Sequence, residues 1–138
     1  MTRENLLIMD CLVEGENSLL DLNGELIAET RFDVERLLRE GLESGIRRVI
    51  IRCRSLASID SAGFSTLLGA LHRYRRDGGD LILAELNPEL HALFEVTAME
   101  KYFNIFETLE AAHAHFAQAA EERRRRGPAP AHPRNAKA

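Results

Sequence analysis

An α/β sandwich, a mixed β-sheet packed against α-helices, is the fold this sequence predicts, and three observations predict it. The first 26 residues hold two strand-like segments joined by Glu14-Gly15-Glu16-Asn17, whose Gly and Asn suit a hairpin turn and supply an antiparallel pair. Beyond Gly24 the apolar residues take up a helical period, and from there helix-like and strand-like segments alternate. Two short runs, Val49-Ile50-Ile51 and Leu81-Ile82-Leu83, are apolar at every position, as interior strands are.

The elements follow in order. Leu6 to Val13 and Ser18 to Leu22 form the hairpin. In the next segment Ala28, Phe32, Leu37, Leu38 and Leu42 mark the inward face of a helix, with Glu29, Arg36, Arg39 and Glu40 opposite and Gly41 and Gly45 at its exit. Arg47 to Cys53 is the third strand. A helix opened by Ser61 runs to about Arg76 with Phe64, Leu67, Leu68 and Leu71 inward, and Asp77-Gly78-Gly79 ends it. Leu81 to Ala84 is the fourth strand. Asn87-Pro88 starts a helix that buries Leu90, Leu93 and Phe94, the proline standing in the first turn where its missing N–H costs little. A short strand and a helix from about Thr108, with Leu109, Ala112 and Phe116 inward, close the body.

At 138 residues the chain is long enough for one core and has no room for a separate catalytic domain. Domain boundaries are expected at 1–120 for the globular body and 121–138 for a basic, Pro/Ala-rich tail without a fixed fold. The tail holds six basic and two acidic side chains, a net of +4, which leaves −8 on the first 120 residues. An acidic body argues against a nucleic-acid surface, which needs clustered Lys and Arg. The arginines Arg123 to Arg126 suit either a solvated helix end or docking to an anionic surface. No apolar run approaches a membrane span, and the N-terminus lacks the layout of a signal peptide, so a cytoplasmic location is expected. Cys11 and Cys53 fall in apolar strand segments without metal spacing and are expected to be buried hydrophobes.

Asp60-Ser61-Ala62-Gly63 is the stretch that carries chemistry. It places a hydroxyl on the first turn of an amphipathic helix directly after a buried strand, where a phosphate on Ser61 would meet the helix dipole and unpaired backbone N–H groups. The structural alternative is that Asp60 or Ser61 simply caps the helix. Gly63 allows close approach by a phosphate, a partner's backbone or the packing helix. Ser55, Ser58, Ser65 and Thr66 are further hydroxyls nearby, but Ser65 and Thr66 lie inside the helix and offer a kinase less backbone.

The strand, this turn and the helix resemble the phosphorylation loop of STAS domains, the family of bacterial anti-sigma factor antagonists. Leu22-Asn23-Gly24-Glu25-Leu26 resembles the family's second strand and turn, and Asp77-Gly78-Gly79-Asp80-Leu81 the turn into its last core strand. Leu90-His91-Ala92-Leu93-Phe94 and Phe103-Asn104-Ile105-Phe106 fit its closing helix and strand, so that roughly residues 5–118 are covered. One position departs: Ile27 follows Gly-Glu-Leu where many antagonists carry a polar, often acidic residue. The resemblance implies Ser61 as phosphoacceptor and a contact surface of Glu25, Asp60, Ser61, Ala62 and Gly63. It implies as partner an anti-sigma factor with serine kinase activity, and adds a phosphatase as a further candidate. ATP would belong to the kinase, and the chain itself would hold no cofactor. The same family also serves as accessory subunits of membrane transporters and as components of stressosome-like scaffolds; oligomeric state stays open.

Enzyme readings find little support. A hydrolase elbow needs Gly two residues before the serine, and Ile59 stands there; neither a dinucleotide fingerprint nor a Walker loop occurs. His113 and His115 are two apart on one helix and do not share a face, so zinc ligation is not expected.

Overall fold

The computed structural model describes residues 6–127. Strands β1 (Leu7–Glu14) and β2 (Asn17–Leu26) form the hairpin, and helix α1 (Arg31–Glu43) crosses to β3 (Arg48–Ile59). Then come α2 (Ser61–Arg76), β4 (Asp80–Ala84), α3 (Pro88–Val96), a single 3-10 turn at Met99–Lys101, β5 (Ile105–Phe106) and α4 (Leu109–Arg126). The five strands lie in sequence order, β1 antiparallel to β2 and every later pair parallel. This is the α/β mixed-sheet sandwich expected from the pattern.

Apolar residues on the two faces of the sheet build two cores. On one, Leu20, Leu22, Val49, Ile51, Leu81 and Leu83 meet Val34 and Leu38 of α1, Phe64, Leu67 and Leu71 of α2 and Leu90 and Phe94 of α3. On the other, Ile50, Ile82 and Ala84 meet Ala112 and Phe116 of α4. Alternate residues of β3 and β4 thus serve opposite layers, which is why both strands read as unbroken apolar runs. Tyr74 of α2 is buried and donates its hydroxyl to the Leu38 carbonyl at 2.7 Å, tying α2 to α1; burial pushes its phenol up to about 12.

On the second face an ion cluster anchors α4. Arg52 bonds Glu85 at 2.8 Å, and the other Glu85 oxygen accepts the Leu109 N–H at 3.2 Å, so a strand-end carboxylate links β3 to the start of α4. The Arg52 guanidinium holds the Glu85 carboxyl below its ordinary range.

Several expectations change. β3 runs to Ile59 rather than stopping at Cys53, because Asn23 to Leu26 of β2 continue to pair with Ser55 to Ile59, and Leu56 and Ile59 turn inward. Helix α1 starts at Arg31, so Ala28 precedes it, and Phe32 is 60% exposed with the Arg31 guanidinium 4.7 Å above its ring. Gly41 lies inside α1, where a Cβ would come within 3.1 Å of the Tyr74 hydroxyl. Cys11 is exposed, and only Cys53 is buried, its thiol pushed up to about 12 by desolvation. Leu68 is half-buried; Leu67 is the fully buried leucine of that turn. Helix α4 continues past the boundary expected at 120, and Arg123 to Arg126 close its last turn, where cations complement the helix dipole. Residues 128–138, the rest of the expected tail, lie outside the described residues.

Candidate functional site

Parallel pairing of β2 with β3 brings the C-terminal ends of both strands together, with Leu26 opposite Ile59 and Glu25 opposite Ser58. The Asp60 N–H donates to the Leu26 carbonyl at 3.2 Å, so the pairing reaches the residue before the helix. Asp60 is then the N-cap of α2. Its Oδ1 accepts the Gly63 N–H at 2.9 Å and its backbone carbonyl takes the first helical bond from Phe64 at 2.9 Å. Its Oδ2 accepts the Ala28 N–H at 3.0 Å from the turn that follows β2. One carboxylate therefore staples the β2–α1 turn to the start of α2. The Gly63 N–H foremost, and then the Ala28 N–H, hold the Asp60 carboxyl below its ordinary range.

Gly63 is fixed by the packing of the helix. A Cβ there would lie 2.3 Å from the Leu26 carbonyl oxygen and 2.8 Å from Ile59 Cγ1, so α2 can seat against β2 and β3 only without a side chain at this position. Ala62 is half-buried beside it. Ser61, the first residue of α2, is exposed, and its hydroxyl makes no hydrogen bond among the described residues.

The cradle of unpaired N–H groups expected for a phosphate on Ser61 is not free. Asp60 already occupies the Gly63 N–H, so a phosphate on Ser61 would stand beside an ionised carboxylate. The geometry makes Asp60 the cap of α2.

Glu25 is half-buried near the end of β2, its N–H donating to the Leu6 carbonyl at 2.7 Å. The buried Thr30 hydroxyl donates to the Glu25 carbonyl at 2.7 Å and accepts the Ile27 N–H at 3.0 Å, shaping the turn that Asp60 holds from the other side. Thr30 went unnoticed in the sequence, where a Thr before a helix reads as a cap; here its hydroxyl turns back to the strand instead. Asn87 was legible as the start of α3, but not that its Nδ2 also donates to the Leu56 carbonyl at 3.1 Å, joining the α3 start to β3. Among the described residues no group of three or more His, Cys, Asp or Glu is placed to hold a metal ion, and no helix is long and apolar enough to cross a membrane.

A five-stranded mixed sheet between helical layers, with a capped serine turn leading from a core strand into a helix, defines a small α/β domain of the type that presents a serine at its surface. The STAS domain family model matches residues 10–112, and the chain belongs to that family. BtrV of Bordetella bronchiseptica, provisionally named an anti-sigma factor antagonist, is 31% identical over 98 residues, 71% of this chain and 84% of that protein. Among solved structures, a Thermotoga maritima protein likewise provisionally named superposes with a TM-score of 0.73 at 18% identity, over 78% of this chain and 92% of the other. The anti-sigma factor antagonist SpoIIAA in its unphosphorylated form gives 0.63 at 17% identity, over 81% and 97%.

Proposed function

We propose that this STAS domain is an anti-sigma factor antagonist in a partner-switching system, binding an anti-sigma factor with serine kinase activity when unphosphorylated and releasing it once Ser61 is phosphorylated. The observation that carries this reading is the exposed, unbonded Ser61 hydroxyl on a helix start that Asp60 and Gly63 hold in place. The relatives named as antagonists support the partner class.

The switch works through charge. Phosphorylation adds about −1.5 to −2 to a surface where Asp60 is already ionised and already holds the nearby N–H donors. With the Gly63 and Ala28 N–H groups already held by Asp60, the added charge stays at the contact surface. There it repels acidic groups of the partner and must be desolvated for the partner to stay bound, while the fold stays as it is. Glu25, Ala62 and Gly63 complete the surface around the serine, and a phosphatase would restore binding by removing the charge.

With the cognate kinase and ATP, one phosphate is expected on Ser61, and Ser61→Ala should abolish labelling while keeping kinase binding. Peptide mapping and calorimetric titration check both. Labelling at another serine would sink the site, and equal kinase affinity before and after phosphorylation would sink the switch. Co-purification with a transporter subunit, or elution as a large assembly, would instead favour the transporter or scaffold role.

A further inference from the structure

One turn along α2 from Ser61, helices α1 and α2 enclose a groove of about 100 Å³ lined by Arg31, Glu35, Ser65, Thr66, Gly69 and Arg73. Two guanidinium groups border it: Arg31 stacks over the Phe32 ring, and neither it nor Arg73 has a carboxylate partner among the described residues. Glu35, the acid of the groove, is engaged by Arg39 at 3.6 Å. Arg31 Nε, Arg73 Nε and Arg73 Nη2 are shielded from solvent without an acceptor. Ionised N–H donors in that state are costly, because the desolvation of each is uncompensated. Arg73 folds back along its own helix, its Nη1 lying 3.6 Å from where a Cβ of Gly69 would stand. Two such groups with the Ser65 hydroxyl at the rim match the donor pattern that recognises an oxyanion.

Position selects the source of the oxyanion. Ser65 is one helical turn, about 6 Å, from Ser61. Arg31 follows directly on the turn whose Ala28 N–H is bonded to Asp60. A protein that covers Ser61 covers this groove as well. The remainder of the body is strongly acidic, which makes an unpaired cationic pair beside the serine the local attraction for an acidic side chain.

We propose that the groove is the receptor for a carboxylate of the kinase partner, an Asp or Glu side chain clasped by Arg31 and Arg73. This rests on the partner-switching reading and gives its repulsion an address. The bound carboxylate lies within about a turn of Ser61, so a phosphate there acts on it at short range and loosens the complex where it is charge-assisted.

Two measurements on the full chain test it. Inorganic phosphate, titrated against labelled protein, is expected to shift the Nε–Hε resonances of Arg31 and Arg73 and the Ser65 and Gly69 amides saturably, and to shift none of them so in Arg31→Gln/Arg73→Gln. Absence of saturable shifts, or the same shifts at Ser65 and Gly69 in the double variant, would overturn the receptor. In calorimetric titration with the kinase, the double variant should bind about 10- to 100-fold more weakly, with a flatter salt dependence and a melting temperature no lower than that of the unsubstituted protein. It should also distinguish phosphorylated from unphosphorylated Ser61 less sharply than the unsubstituted protein does. Equal affinity would overturn the assignment to the kinase. Failure of the unsubstituted protein to bind the kinase would remove the partner-switching reading and the kinase as source, while the phosphate titration still decides the groove.

Discussion

Replacing Gly63 by Ala tests the seating of helix α2 most directly. The new Cβ would meet the Leu26 carbonyl oxygen at 2.3 Å, Ile59 Cγ1 at 2.8 Å and Leu26 Cγ at 3.0 Å. An unstrained C···O contact is about 3.3 Å or longer, so the start of α2 must move about 1 Å away from β2. That movement stretches the Gly63 N–H bond to Asp60, now 2.9 Å, and the Asp60 N–H bond to Leu26, now 3.2 Å. Overpacking of this kind costs about 1–3 kcal/mol, and a weakened cap adds about 0.5–2 kcal/mol. Alanine's better helix propensity returns about 1 kcal/mol, so a net loss of about 0.5–4 kcal/mol is expected. In urea, with a slope of about 1–3 kcal/mol/M, the midpoint should fall by about 1 M with an unchanged slope. Gly69→Ala is the control on the same helix, because its Cβ meets only Arg73 Nη1 at 3.6 Å, and it should gain about 0.5–1 kcal/mol. Should Gly63→Ala equal or exceed the unsubstituted protein in stability, the close approach of α2 to Leu26 would be refuted.

Asp60→Ala should lose about 0.5–2 kcal/mol at pH 7 for the cap. Since the folded carboxyl lies below its ordinary value, the stability it contributes is complete above the unfolded pKa of about 3.9 and lost as pH falls through the lower folded one. Denaturation curves across acid pH should therefore converge for the two proteins below that range; a difference that persisted there would exclude the charged cap as its source. Leu67→Ala should cost about 2–5 kcal/mol, and Leu68→Ala distinctly less, because only Leu67 is fully buried; equal losses in chemical denaturation would contradict the placement of that face. Deleting residues 123–138 should leave the melting temperature nearly unchanged, since Arg123 to Arg126 are exposed and Phe116 is the last buried side chain of α4; a large drop by calorimetry would place part of the segment in the core.

What could be read ahead of the structure follows the strength of the local signal. Helix α2 was legible to its ends, because a capping residue before it and Asp77-Gly78-Gly79 after it punctuate an amphipathic period. The second half of β3 was not, because Arg54-Ser55 and Ala57-Ser58 interrupt the apolar run and only pairing with the end of β2 keeps that segment extended. Phe32 and Cys11 misled for one reason: an apolar side chain matches an inward period by composition, and how closely the surrounding elements cover it is a tertiary matter. At the serine turn the residue types allowed a helix cap, yet the two bonds of the Asp60 carboxylate could not be foreseen, since Ala28 lies 32 residues away along the chain.

That carboxylate, with Asn87 holding Leu56, joins the segments after β2, β3 and β4 into one frame around Ser61. A surface fastened in this way is preorganised: whatever protein docks on it meets a finished shape, and the conformational entropy of ordering those loops was already spent in folding. Under the proposed switch, phosphorylation of Ser61 would then edit the charge of a fixed template. Its effect on a complex should appear chiefly as faster dissociation, with the encounter altered only through long-range electrostatics that added salt suppresses.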